Sequence, residues 1–161
     1  IGKNFPSWTG GLSFSVRYKN FDLSGLFQGA FDVDGYFTSE AAYAFFNGAT
    51  ALKRHLDRWT PENHDATYPR ITRTDQTNFT TSSFWLQDAS YVRLKNLTLG
   101  YTMPKAWMTK LGVANAKVFL SGENLFTITG LDGGIDPEEA SERGWSYGNV
   151  KKISVGVRLS F

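Results

Sequence analysis

The residue types that carry most enzyme and metal chemistry are scarce in this sequence. Its 161 residues include two histidines, His55 and His64, and no cysteine. Their separation lacks the spacing of a zinc site, so solvated or hydrogen-bonded side chains are the favoured interpretation. The absence of cysteine excludes a disulfide scaffold, a cysteine zinc site and a thiol nucleophile. No nucleophile elbow, phosphate-binding loop or dinucleotide fingerprint occurs either, so the sequence predicts a protein that is not an enzyme.

Acidic side chains offer the one candidate metal site. Asp132, Asp136, Glu138 and Glu139 lie close together in the sequence, and carboxylates are the usual ligands of calcium. Their spacing does not match an EF-hand loop. A solvated acidic loop is therefore favoured over a calcium site, and no other cofactor is predicted.

Aromatic residues make up 16% of the chain, and several fall in segments without periodicity. Rings at such positions can stack on sugars or other ligands, whereas packing inside folded loops is the more common role. The candidates for substrate contact are Trp59, Tyr68, Trp85, Trp145 and Tyr147.

Composition narrows the class of protein further. The 17 basic and 15 acidic residues give a net charge of +2, which is too balanced to indicate nucleic-acid binding. The longest apolar run, Ala41 to Phe46, is far shorter than the roughly 20 residues of a membrane-spanning helix. The chain starts at Ile1 without a methionine or an export signal. We therefore expect either that an export signal has been removed or that the chain is a piece of a longer protein.

Period-two alternation predicts an all-β, antiparallel protein with five strands. In the last strand Ile153, Val155, Val157 and Leu159 share one face, while small or polar residues share the other. A very short turn at Lys19–Asn20 predicts a hairpin between the first two strands. The five strands are predicted near residues 9–18, 20–31, 90–103, 116–127 and 150–161.

The third strand contains an error in its alternation near Lys95–Asn96. Val92 and Leu94 occupy even positions, whereas Leu97 and the apolar residues after it occupy odd ones. A β-bulge would restore one apolar face. Alternatively, the strand leaves its apolar environment at this point and alternation no longer matters.

Connections between the strands alternate in length. Short links at residues 19–20 and 104–113 alternate with long loops near 33–87 and 130–149. The first loop is expected to begin with a helix that Thr38 or Ser39 caps and that runs to Trp59. Short turns at one end and long loops at the other are typical of outer-membrane β-barrels, with apolar residues facing lipid and small polar residues facing a lumen.

A long motif now allows a comparison with a known family. Residues 84–104 read FWLQDASYVRLKNLTLGYTMP, followed by LSGENLF at 120–126 and preceded by WTPEN at 59–63 and YPR at 68–70. This ordered set closely resembles a hallmark near the C-terminus of SusC/RagA-type TonB-dependent outer-membrane transporters. The resemblance covers essentially the whole chain.

The resemblance implies a transmembrane β-barrel fragment, formed by about five C-terminal strands of a plugged barrel of about 22 strands. Five strands alone cannot close a barrel in lipid. The plug domain and the TonB box are absent from the sequence given, which is interpreted as part of a longer transporter. Such a transporter imports nutrients, glycans or oligopeptides, by TonB-dependent active uptake across the Gram-negative outer membrane.

The resemblance also implies partners and an orientation. The partners are the remainder of the barrel and plug, a SusD-like surface lipoprotein, outer-membrane lipid, and the TonB complex through the missing N-terminal region. No nucleic-acid partner is expected. The long loops are expected to be extracellular and the C-terminus periplasmic. Phe161 is then a terminal aromatic for barrel assembly, an aromatic-girdle residue, or both.

Two alternative functions remain compatible with the sequence. One is a soluble carbohydrate-binding β-sandwich in which the loop aromatics form the binding platform. The other is part of a smaller outer-membrane pore or adhesin barrel of eight or more strands.

Overall fold

The computed structural model describes residues 2–73, 77–132, 134–140, 143–144 and 146–161. Within them the chain forms two compact units. The sheet unit contains Trp8–Ala30, Tyr91–Ile128 and Asn149–Phe161. The loop unit contains Ile1–Ser7, Phe31–Ser90 and Thr129–Gly148. The strands are β1 (Trp8–Tyr18), β2 (Phe21–Phe31), β3 (Asp34–Tyr36), β4 (Leu86–Asp88), β5 (Tyr91–Thr102), β6 (Asn115–Glu123), β7 (Thr127–Thr129) and β8 (Lys152–Ser160).

Five strands of one sheet lie in the order β1-β2-β5-β6-β8, and β7 pairs with β5. The pairings of β5 with β2 and β6, and of β6 with β8, are antiparallel, as predicted. Two residues separate β1 from β2, and Lys19 has a φ of 52°, a left-handed conformation that suits a tight hairpin turn. The predicted hairpin at Lys19–Asn20 is therefore present.

Strand register places apolar side chains in rows on one face of the sheet. Leu23 lies opposite Leu99, Leu99 opposite Leu120, and Leu120 opposite Val155. Leu99, Leu120 and Val155 expose 44%, 46% and 74% of their surfaces. In the part of the chain that the structure describes, no layer covers these side chains, so this face is an apolar surface.

The opposite face of the same strands is polar. The neighbouring row runs through Ser24, Thr98, Ser121 and Ser154. Gly100 leaves room for a half-buried ion pair on this face, because a Cβ there would clash with the Lys117 side chain. The Lys117 ammonium donates to an Asp22 carboxylate oxygen at 2.7 Å.

A register shift in β5 explains the error in its alternation. Leu26 pairs with Asn96, whereas Phe27 pairs with Leu94, so Lys95 is the extra residue. The Lys95 carbonyl instead accepts a hydrogen bond from the Asn124 backbone N–H at 3.1 Å. The β-bulge alternative is confirmed, since Leu94 and Leu97 both belong to the apolar face once the register passes over Lys95.

The short link between β5 and β6 contains helix α2 (Lys105–Leu111). Pro104 precedes its first residue, and Gly112 ends it with a φ of 66°. This is the left-handed conformation that glycine adopts most readily after a helix. The short link expected at residues 104–113 therefore consists mainly of a helix between Pro104 and Gly112.

The loop unit has an aromatic core of its own. Within this unit, β3 and β4 pair antiparallel and bring together the two ends of the long segment between them. Tyr43 is the central ring and lies 4.4 Å from Phe79, 5.2 Å from Trp85 and 5.7 Å from Phe46, measured between centroids. The buried members of this core are Phe37, Ala41, Ala42, Tyr43, Trp85, Ala89 and Leu131.

The long helix expected from Thr38 or Ser39 to Trp59 is wrong. Helix α1 covers only Ser39–Ala42, and Thr38 makes no side-chain capping hydrogen bond. Phe45 and Asn47 have left-handed φ values of 62° and 46°, which a helix does not permit.

Tertiary contacts explain why the helix stops. The Ala42 carbonyl, which a longer helix would use internally, accepts a hydrogen bond from His55 Nε2 at 2.9 Å. Tyr43 and Phe46 pack against the Phe79 ring. Aromatic pairs contribute about 0.5–1.5 kcal/mol each beyond their buried area, which outweighs a weak helical preference.

No helix in the described part of the chain is both long enough and apolar enough to cross a membrane.

The bulge generates a prediction about deletions. Deleting Lys95 restores regular alternation and loses one backbone hydrogen bond, a cost of about 1 kcal/mol. The full-length protein should therefore still fold. Deleting Thr98 instead moves the residues on one side of it to the opposite face. The measurement is the yield of protease-resistant protein, and equal losses for the two deletions would contradict the assigned register.

Candidate functional site

The predicted contact residues of the loop unit fall into buried and exposed groups. Trp85 exposes 5% of its surface, and its Nε1–H donates to the Asn78 carbonyl at 3.2 Å. Its ring is therefore part of the core and has little surface to offer a ligand. This is the packing role that the sequence left open for such aromatics.

Tyr68 lies at the centre of a second group of contacts. Its ring meets His55 and Phe84 edge-on, with centroid distances of 6.0 and 6.2 Å. Its hydroxyl donates to Asp132 Oδ2 at 3.3 Å. Burial raises the pKa of Tyr68, and the negative charge of Asp132 raises it further, so the hydroxyl remains a donor at neutral pH.

Trp59 is held beside Tyr68 by the backbone and keeps an exposed ring. The Trp59 backbone N–H donates to the Tyr68 carbonyl at 2.8 Å. A tight turn from Thr60 to Asn63, with hydrogen bonds in both directions, brings His64 back onto the indole. The Trp59 and His64 rings are stacked, with 5.8 Å between centroids and 6° between planes.

Asp57 fixes the shape of this turn. Its carboxylate accepts from the Asn63 side chain at 3.2 Å and from the Thr67 backbone N–H at 3.1 Å. A hydrogen bond from the Thr67 side chain has the largest effect in lowering the pKa of the Asp57 carboxyl, and the two bonds just named lower it further. The Asp57 carboxyl, whose negative charge orders the turn, therefore stays ionised even at pH values well below neutral.

The aromatic side chains that are exposed in the structure differ from those predicted to contact a substrate. Trp59 exposes 40% of its area, Tyr147 exposes 99%, and Trp145 lies outside the described residues. Phe84, 49% exposed and packed edge-on against Trp85 at 4.8 Å, was not predicted, and neither was His64. The turn residues between Trp59 and His64 were the one signal that could have indicated their stacking.

His55 is a buried histidine with both ring nitrogens occupied. Nδ1 accepts from the Leu52 backbone N–H at 3.0 Å, so the proton is on Nε2, which donates to Ala42. Burial lowers the pKa of His55, and the nearby charge of Arg54 lowers it further. The neutral ring therefore has a structural role, as its hydrogen bonds hold the chain on both sides.

The candidate calcium ligands have other roles. Asp132 accepts from Tyr68, and Asp136 accepts from the Glu138 backbone N–H at 3.0 Å at the start of a 3₁₀ turn. In the parts of the chain that the structure describes, no three histidine or acidic side chains converge in a way that would hold a metal ion.

The predicted lipid-facing residues lie on the apolar face of β8. Ile153, Val155, Val157 and Leu159 expose between 52% and 74% of their surfaces. Phe161 follows β8 and is 89% exposed. Contact with lipid and a role in barrel assembly stay predictions for these residues.

Known proteins resemble the chain along its whole length. TonB-dependent receptor P3 of Formosa agariphila is 31% identical over 175 residues, which include all of this chain and 17% of that receptor. SusC of Bacteroides thetaiotaomicron, also a TonB-dependent receptor, is 28% identical over 94% of the chain and 15% of its own length. A structure of the RagAB peptide transporter matches 98% of the chain at 27% identity, with a TM-score of 0.77 and 17% of its own chain covered. The chain belongs to the SusC/RagA type of TonB-dependent receptors.

Membership confirms the predicted fold class, an antiparallel sheet segment of a barrel transporter. No protein-family model matches the chain. It spans less than a fifth of each SusC/RagA-type relative just named. These relatives are receptors and transporters rather than enzymes, and the family places the chain in the outer membrane.

The buried neutral His55 predicts a pH response of the loop unit. Its folded pKa lies below the unfolded value of about 6.5, so its stabilisation is present above that pH and is lost as the pH falls below it. Limited proteolysis of the full-length protein should therefore accelerate below about pH 6.5.

Two variants separate this effect from general acid sensitivity. His55→Gln, which cannot take up a proton, should make cleavage in the loop unit less dependent on pH. His64→Gln removes an exposed histidine and should leave the response of the parent protein intact. If His64→Gln reduced the pH dependence of cleavage and His55→Gln left it unchanged, the role of His55 would be contradicted.

Proposed function

We propose that the chain is part of a transporter that imports nutrients across the outer membrane by TonB-dependent active uptake. The observation that carries this proposal is the similarity to TonB-dependent receptors and to RagAB, which extends over 97–100% of the chain in three of the matches. In the proposed transporter this chain supplies strands and loops and performs no covalent chemistry.

The sheet supports a place in a barrel wall. Rows such as Leu23, Leu99, Leu120 and Val155 give one apolar face, whereas the serine and threonine rows give the other. In lipid, an apolar face is stable only where every backbone group is also paired. We therefore infer that β1 and β8 pair with further strands of the same transporter, and that the polar face lines its lumen.

Connection lengths support the orientation. The link from β1 to β2 has two residues and that from β5 to β6 is short, whereas β2 to β5 and β6 to β8 are joined by long segments. In barrels of this kind the longer loops are extracellular and the short turns periplasmic. We therefore infer that the loop unit is extracellular and that Phe161 lies at the periplasmic interface.

The ligand contacts and the partner follow from this orientation. We propose that Trp59 and Tyr147 contact the imported nutrient, a glycan or an oligopeptide, because both keep exposed rings. The RagAB structures include importers in open-open and closed-closed states, which supports a transporter that opens and closes. A SusD-like surface lipoprotein is the proposed partner on the extracellular side.

One prediction tests the assignment of the two sheet faces. In the full-length protein, Val155→Arg should lower the free energy of unfolding in membranes by about 2–4 kcal/mol, since it places a charge in lipid near the midplane. The adjacent Ser154→Arg should have little effect, because the lumen side accommodates charge. Denaturant titration in lipid bilayers measures both values, and equal costs would argue against a lipid-facing sheet.

A second prediction tests transport and the contact role of Trp59. Deleting the gene of the full-length transporter should abolish growth on at least one member of a panel of oligosaccharides and peptide mixtures. Disabling the TonB complex should have the same effect. Trp59→Ala should raise KM for uptake of that nutrient about tenfold, since truncating a contact aromatic costs about 1–2 kcal/mol.

Tyr18→Ala is the matched control, because Tyr18 is an exposed aromatic of β1 in the sheet unit. It should leave KM unchanged. Normal growth of the deletion strain on the whole panel would contradict import, whereas an unchanged KM for Trp59→Ala would contradict only the contact role.

A further inference from the structure

Arg54 carries a guanidinium group whose hydrogen-bonding capacity is unused within the described residues. Its Nε, Nη1 and Nη2 atoms are all buried, and none has a hydrogen-bond partner there. A guanidinium offers five N–H donors and stays charged at any physiological pH. Burying such a group without a partner is strongly unfavourable, so the arrangement indicates that an anion completes it.

Arg54 also contacts an aromatic ring of the loop unit. Its Cζ lies 5.9 Å from the centroid of the Tyr68 ring, in a cation–π contact. Arginine makes such contacts commonly through the flat face of its guanidinium. The N–H groups lie in the plane of the guanidinium and point outward from its edge, which is the edge that binds a carboxylate through two parallel hydrogen bonds.

A cavity of about 270 Å³ in the loop unit is lined by Arg54. Leu52 and Ile135 supply apolar parts of its wall. The volume is smaller than that of most sites for drug-sized ligands and suits a single small residue or sugar. Charged and apolar walls together fit a ligand that joins a carboxylate to a short organic body.

The carboxylates of the cavity wall already have partners. Glu40 accepts two hydrogen bonds from the Arg143 guanidinium, at 3.0 and 3.2 Å. Asp136 accepts from the Glu138 backbone N–H. Arg54 is thus the cation of this wall that lacks a hydrogen-bonded carboxylate in the described part of the chain.

We propose that this cavity binds the carboxylate of a small ligand, with Arg54 as its bidentate donor. The C-terminus of a short peptide and the acid group of a uronic acid both supply this chemistry. Assigning the ligand to the imported nutrient rests on the proposed transport function. Binding itself does not depend on it.

Calorimetric titration of the purified full-length transporter tests the proposal with matched pairs of probes. Triglycine is compared with triglycine amide, and glucuronate with glucose, so that the members of a pair differ in the carboxylate. In at least one pair the acid should bind about tenfold more tightly or better, as expected for two charge-assisted hydrogen bonds. Equal binding within both pairs, or no binding by either acid, overturns the proposal.

Variants then assign the effect to Arg54. Arg54→Met and Arg54→Gln should reduce binding of the acid to the level of its neutral partner. Lys53→Gln removes the same charge from the adjacent exposed residue and should leave the affinity of the parent protein unchanged. Retention of tight binding by both Arg54 variants overturns the proposal.

Thermal unfolding without ligand distinguishes a ligand from a carboxylate elsewhere in the transporter. If the site is empty, Arg54→Met should unfold at the same temperature as the parent protein or higher, since an unpaired buried charge is removed. A lower unfolding temperature for both Arg54 variants would show that the guanidinium already has a protein partner, and would overturn the proposal. A transporter that binds the acid but fails to import it refutes only the transport function, whereas one that imports without preferring the acid refutes only this site.

Discussion

Strand register is the constraint on which the sheet unit depends. Because side chains alternate with a period of two, pairing Leu99 with Leu23 and Leu120 also decides that Thr98 and Ser121 face the other way. The bulge at Lys95 keeps this division intact along β5, since it takes up the one extra residue that would otherwise reverse the alternation. The same register brings Lys117 over Gly100 to reach Asp22 on the polar face. An apolar face that is continuous over four strands, with its backbone groups paired, is what a membrane-spanning sheet requires.

The loop unit is stabilised by a different principle, aromatic packing combined with backbone hydrogen bonds from side chains. Tyr43 contacts Phe46, Phe79 and Trp85, so segments far apart in the sequence are held by one ring. His55 adds two hydrogen bonds to backbone atoms of separate segments. These contacts are specific to one arrangement of the chain, so a long loop with little regular secondary structure still has a defined surface.

Sequence patterns predicted the features of the fold that depend only on residues close together in the chain. The turn at Lys19–Asn20 and the extra residue in β5 each follow from the conformational preferences of a few neighbouring residues. The helix expected to reach Trp59 failed because its end depends on His55 hydrogen bonding to Ala42 and on Phe79 packing against Tyr43. Neither contact is visible in the periodicity of the segment. The candidate aromatics were identified by type and loop position, but burial separated Trp85 from Trp59, and burial of a loop residue depends on tertiary packing.

Tyr68 connects the two kinds of ligand contact proposed for the loop unit. Its backbone holds Trp59, whose ring is exposed, while its own ring lies under the guanidinium of Arg54. Its hydroxyl is committed to Asp132, which fixes the plane of the ring. A guanidinium that stacks on a ring keeps its N–H edge for hydrogen bonds. Recognition of a carboxylate by Arg54 therefore depends on a residue that the sequence marked only as a stacking candidate, and its position is set by contacts with residues on both sides of it in the chain.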